Sequence, residues 1–91
     1  MPDPTRIIDL ANAFYGSQVL FAASDLNVFG ALAELGAANA ETVADKCSLD
    51  PRGARLLLDG CVALDLLTKD GDLYSNTADA SVFLVPGAPG D

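Results

Sequence analysis

Between Ala40 and Leu84, apolar spacing, caps and turn residues follow one order: short helix, tight turn, longer helix, hairpin, closing helix. Glu41–Cys47 reads as the short helix, with Val43, Ala44 and Cys47 facing inward. Ser48-Leu49-Asp50 is the turn, and Leu49, a lone apolar residue among polar ones, is expected to plug the gap between the two helices. Asp50-Pro51 starts the longer helix: a carboxylate can accept from a free N–H, and proline suits the first position because no N–H is needed there. That helix is expected to run to about Leu67, with Ala54, Leu57, Leu58, Cys61 and Leu64 on its core face. Arg52, Arg55 and Asp59 line the other side, where Arg55 and Asp59 form an i,i+4 pair, a contribution of a few tenths of a kcal/mol. Leu67-Thr68-Lys69 and Leu73-Tyr74-Ser75 flank Asp70-Gly71-Asp72, the signature of a hairpin. Asn76 or Thr77 then caps a short helix over Ala78–Leu84. The order predicts a mainly α fold: a winged helix-turn-helix with extra N-terminal helices and a small β-hairpin wing.

That layout is best known from DNA-binding domains, yet the chain carries 13 acidic residues against five basic ones, a net charge of −8. Nucleic-acid affinity draws heavily on Lys and Arg that neutralise phosphates and release counterions. Only Arg52 and Arg55 fall on the helix that would enter a major groove. The scaffold is therefore expected to serve protein contacts, with no nucleic-acid partner. No segment approaches the roughly 18 apolar residues that span a bilayer. The longest uninterrupted apolar run, Val19 to Ala23, is too short for a signal-peptide core, so no membrane partner and a cytoplasmic location are expected.

The first long element runs from about Pro4 to Leu26, with Asp3 as its candidate N-cap. Ile7, Ala11, Phe14, Gln18 and Phe21 share one face, and Ile8, Tyr15, Val19, Ala22 and Leu26 an adjacent one. Together they make an apolar band wider than one amphipathic stripe. Gly16 leaves two forms open, a single bent helix or two helices with Ser17 capping the second. Ninety-one residues supply one small core, too little to cover both faces. Ile7, Phe14, Tyr15, Val19 and Phe21 are accordingly expected to bury surface against a second copy, with Phe29 in either core or interface. Tyr15 and Gln18, polar-tipped groups within the band, either edge a ligand pocket or form a wet interface margin. Asn27 is a candidate cap for Val28–Leu35, Gly36 its stop, and Ala37-Ala38-Asn39 a loop.

Catalytic chemistry is harder to find. The chain has no histidine to act as a base near neutral pH, and its glycines never form a phosphate-cradling pattern. Asp70 with Asp72 reads as a solvated turn, and Cys47 and Cys61 as small buried hydrophobes. No catalytic, cofactor-binding or metal-ligating residue is expected in this chain.

Several stretches, taken in order, resemble the N-terminal dimerisation domain of class I SAM-dependent O-methyltransferases, the enzymes related to acetylserotonin, caffeate and polyketide O-methyltransferases. They are Phe21-Ala22-Ala23-Ser24-Asp25-Leu26-Asn27-Val28-Phe29, Ala40-Glu41-Thr42-Val43-Ala44, Leu49-Asp50-Pro51-Arg52 and Leu64-Asp65-Leu66-Leu67. Ser75-Asn76-Thr77 and Phe83-Leu84-Val85-Pro86-Gly87 resemble the end of that domain. Asp65 departs from the pattern, standing where glycine is common. The resemblance implies a homodimer whose intertwined domains contribute to a pocket for a small-molecule methyl acceptor, with Tyr15 and Gln18 at its edge. It implies S-adenosylmethionine for the parent enzyme, and a catalytic domain following this one. Residues 1–85 are then the dimerisation domain and 86–91 a linker towards the catalytic domain. The competing expectation is a free-standing acidic winged-helix regulator or partner-binding module.

Overall fold

The computed structural model describes residues 2–90, apart from the side chains of Ala11, Asn12 and Phe14. Five helices and one hairpin follow in the order α1 (Thr5–Asp25), α2 (Val28–Leu35), α3 (Ala40–Cys47), α4 (Pro51–Ala63), β1 (Leu67–Asp70), β2 (Leu73–Asn76) and α5 (Ala78–Phe83). The mainly helical winged layout is as the sequence predicts.

α1 is one continuous helix through Gly16, which resolves the open choice between one helix and two. Its cap is shifted from expectation. Pro4 holds the N-cap position, and Asp3 instead accepts from the Thr5 N–H at 3.0 Å and the Thr5 hydroxyl at 2.7 Å. Asn27 does not cap α2 with its side chain. It adopts a left-handed conformation, φ 60°, that turns the chain from α1 into α2, and its amide lies over Gly30, where a Cβ would collide with it.

The helix-turn-helix follows local chemistry closely. Asn39 accepts from the Thr42 N–H at 2.9 Å at the head of α3, and Asp50 from the Gly53 N–H at 3.1 Å at the head of α4, with Pro51 in the first turn. Leu49 is half-buried between them. α4 stops at Ala63, short of the expected Leu67. Asp65, at φ 60°, lets the Leu66 N–H reach the Cys61 carbonyl at 2.9 Å and its own N–H reach the Val62 carbonyl at 3.1 Å. This is a glycine-type helix stop built with an aspartate.

β1 and β2 pair antiparallel from Leu67 opposite Asn76 to Asp70 opposite Leu73, leaving Gly71-Asp72 as the two-residue turn. Gly71 has φ 61°, the positive value that tight hairpin turns require. Ala38, expected in a loop, adds a third, one-residue strand: it exchanges both backbone hydrogen bonds with Tyr74, at 3.0 and 2.8 Å. Thr77 caps α5 by accepting from the Ala80 N–H.

The core lies among α2, α3, α4 and the wing. Phe29, Leu32, Leu58, Leu67, Val28, Val43 and Cys61 are its largest fully buried side chains. Among the described residues, α1 joins it through Val19, Ala23 and the partly buried Leu20, all in its second half. Leu57 is half-buried, and Leu64, expected inside, is exposed at the end of α4.

Candidate functional site

Two surfaces have the makings of a site, and the first is the outer side of α1. Where α1 crosses α4 the backbones come close. A Cβ on Gly60 would lie 3.3 Å from Val19 Cγ1, and one on Gly16 would lie 3.3 Å from Leu64 Cδ2. Gly16 therefore meets the end of α4 and Val19 a point one turn earlier, so the helices run antiparallel. The N-terminal half of α1 then projects past α4. Every described side chain from Pro2 to Leu10 is exposed, and the molecule measures 51 × 31 × 23 Å.

Along this helix Ile7 is 72% exposed, Leu10 67%, Phe21 64%, Tyr15 59% and Ile8 52%. Side chains of this kind each forgo roughly 1.5–3 kcal/mol of burial free energy when left in water. Of the residues expected at an interface, Ile7, Tyr15 and Phe21 present this free apolar surface. Val19 does not: it is 8% exposed and packed on Gly60 in the chain's own core. The Phe14 side chain lies outside the described residues. Phe29 is core.

A shallow hollow of about 400 Å³ opens on the same side, lined by Ser17, Gln18, Phe21, Ala22 and Asp25. Gln18, a candidate pocket residue from the sequence, is one of the side chains lining this hollow. Tyr15 does not line the hollow; its hydroxyl reaches towards Gly60 instead.

The second surface is the winged face. A small cleft of about 110 Å³ lies between the head of α3, α4 and the wing, with Asn39, Glu41, Arg55, Lys69, Asp72 and Tyr74 around it. Arg55 pairs with Glu41 at 3.4 Å, so the expected Arg55–Asp59 pair gives way to a contact across the helix-turn-helix. Asp59 instead accepts from the Tyr74 hydroxyl at 2.5 Å and pairs with Lys69 Nζ at 3.4 Å, while that ammonium stands 5.0 Å from the centre of the Tyr74 ring. The Tyr74 hydrogen bond is the main cause holding the Asp59 carboxyl below its ordinary pKa, against the opposing effect of burial. Sequence patterning did not reveal this knot.

Among the described residues no group of three His, Cys, Asp or Glu side chains is placed to hold a metal ion, and no helix is long and apolar enough to cross a membrane. Cys61 is buried and its thiol is pushed up to about 11 by desolvation, which disfavours the nucleophilic thiolate. Nor do the described residues fit S-adenosylmethionine. The one sheet is an antiparallel hairpin, and where β2 leads into α5, at Asn76-Thr77-Ala78, no glycine opens the turn for a cofactor.

A family model described as "O-methyltransferase dimerisation domain" matches residues 8–86. Acetylserotonin O-methyltransferase of Mus musculus is 47% identical over 96% of the chain, which covers 24% of the mouse protein. The 3-hydroxy-5-methyl-1-naphthoate 3-O-methyltransferase of Streptomyces sahachiroi is 42% identical over 94% of the chain, which covers 25% of that enzyme. Among solved structures, human N-acetylserotonin methyltransferase in complex with SAM superposes with a TM-score of 0.83 at 41% identity, over 98% of this chain and 28% of the human one. The chain thus spans about a quarter of the length of the proteins it matches.

Proposed function

This chain belongs to the O-methyltransferase dimerisation-domain family, and from that membership we propose that it homodimerises and contributes to the methyl-acceptor pocket of a SAM-dependent O-methyltransferase. Residues 1–85 are the dimerisation domain in this reading, and 86–91 lead towards the catalytic domain. The observation that carries it is the uncovered apolar side of α1, where Ile7, Leu10, Tyr15 and Phe21 stand in solvent beyond a complete core. A stable interface typically buries about 800 Å² per partner, and its core is rich in apolar and aromatic side chains of this kind.

The hollow beside Gln18 and Phe21 supports the second half of the proposal. Phe21 offers an aromatic wall and Gln18 both a donor and an acceptor, groups suited to a flat acceptor carrying a polar substituent. Tyr15 stands at the margin of this side, with its hydroxyl directed to the α1–α4 crossing. The acceptor, S-adenosylmethionine and the base that deprotonates the acceptor belong to the parent enzyme. This domain's part is to shape the pocket wall and join two protomers.

Sedimentation equilibrium tests the dimer. At tens of micromolar the unmodified chain is expected to run as a dimer, and Phe21→Glu together with Ile7→Glu to release folded monomer by placing charges in an apolar contact. A monomeric parent at that concentration overturns the proposal.

A further inference from the structure

We infer that residues 85–90, whose composition reads as a flexible linker, are a rigid elbow that fixes the direction in which the chain runs on from α5. For a catalytic domain following this one, the inference rests on the proposed function and adds that the two domains are held at a set angle rather than tethered loosely. The elbow itself stands on the geometry after α5.

α5 stops where its hydrogen bonding fails. In a continuing helix the Val82 carbonyl would accept from the residue four positions on, which is Pro86 and has no N–H. The Gly90 N–H takes that place, donating to the Val82 oxygen at 2.9 Å. To bring it there the chain reverses over Val85-Pro86-Gly87-Ala88. The Ala88 N–H donates to the Val85 carbonyl at 3.0 Å, and Gly87 has φ 83°. Proline second and a left-handed glycine third are the pattern of a type II turn: proline presets its φ, and glycine takes the positive φ without strain.

Both ends of this reversal are seated. Leu84 and Val85 are half-buried and pack against the core, and Val85 and Pro86 border a hollow of about 270 Å³ with Asn27, Gly30, Ala33 and Glu34. At the far end Gly90 lies against Phe83. A Cβ on Gly90 would stand 2.5 Å from Phe83 Cδ1 and 2.9 Å from the Val82 oxygen, so this contact admits glycine alone. Pro86 and Pro89 also restrict the unfolded chain, which lowers the entropy lost when the segment is ordered. A tether that only has to span a distance needs neither the close approach nor the filled carbonyl.

NMR on the full chain tests this. The Ala88 and Gly90 N–H residual dipolar couplings are expected to fit the alignment of the core helices, with order parameters of about 0.85, as for rigid backbone. Couplings averaged towards zero, with order parameters under about 0.6, overturn the inference. Gly87→Val should free the elbow, because no neighbouring atom crowds a Cβ there but a β-branched residue resists positive φ. Gly87→Asn, which tolerates the left-handed region, should keep it. Gly90→Ala should free the Gly90 amide, which then exchanges at least roughly tenfold faster, while the Ala88 amide keeps its turn. Amides around Leu58 and Cys61 should stay protected in all three variants, which separates a freed elbow from an unfolded chain. Couplings unchanged by Gly87→Val overturn the turn as the device that holds the direction. None of these outcomes alters the dimer reading, which sedimentation decides separately.

Discussion

Tyr74→Phe deletes one oxygen from the knot that fixes the wing to α4. The Tyr74 ring is buried, and its hydroxyl donates to an Asp59 carboxylate that also pairs with Lys69. A hydrogen bond to a charged group contributes about 1.5–3 kcal/mol. The Asp59 side chain is 47% exposed, however, so water replaces part of what is lost. The expected cost is about 1–1.5 kcal/mol, a shift of roughly 1 M in urea midpoint for a slope near 1 kcal/mol/M. Protomer concentration must be held fixed, because dimerisation adds to apparent stability. The pH dependence separates the hydrogen bond from lost packing. Asp59 has a depressed pKa in the folded chain, so its contribution is present in full above the ordinary value of 3.8 and is lost as pH falls through the lower folded value. Tyr74→Phe removes the main cause of that depression, so parent and variant should converge in stability towards the acid end. A double-mutant cycle with Asp59→Asn, at pH 7 and again near pH 3, measures the coupling directly. Coupling below about 0.3 kcal/mol at pH 7, within the usual error of additivity, or coupling that does not shrink in acid, would show that the hydroxyl does not hold the wing.

The backbone and the thiols carry three further expected outcomes. Asp50→Ala removes the cap on the Gly53 N–H and should cost about 1 kcal/mol, whereas Asp65→Gly relieves a left-handed aspartate and should be neutral to stabilising by up to about 1 kcal/mol; thermal melts of the pair check both signs. Toward a thiol reagent at pH 8, Cys47, half-buried, should react before Cys61, whose buried thiol is pushed up to about 11, and Cys61 should react only at the rate at which the chain opens.

The helix-turn-helix was legible because its signals are local: Asp50-Pro51, the apolar spacing of Ala54, Leu58 and Cys61, and Asp-Gly in the hairpin each act within a few residues. What escaped was set at long range or by a disguised signal. The stop of α4 is a left-handed aspartate, which carries no glycine to announce it. Ala38 joins the wing through Tyr74, 36 positions away, and no spacing rule sees that. Arg55 had two carboxylates in reach, and the turn between α3 and α4 brings Glu41 closer than the helix brings Asp59. On α1 both faces are apolar, so periodicity alone did not decide which one turns inward. Gly60 decides it: the gap it leaves on α4 admits Val19, and the face carrying Phe21 is left outside.

The charges on the winged face differ from what a DNA-bound winged helix needs. In a DNA-bound winged helix the outer face of the second helix supplies base and phosphate contacts. Three of the five basic residues here, Arg52, Arg55 and Lys69, do stand on that side. Arg55 is committed to Glu41 and Lys69 to Asp59, so a duplex would have to displace two carboxylates to gain two phosphates. Arg52 alone remains, against the 6–10 phosphate contacts of a strong binder. The other side of α4 has the opposite character, with small Gly60 and apolar Leu64 meeting α1 closely. α4 thus works through the side that faces α1, and the placement of Ile7, Leu10 and Phe21 in solvent is the consequence of how firmly Val19 and Ala23 are held.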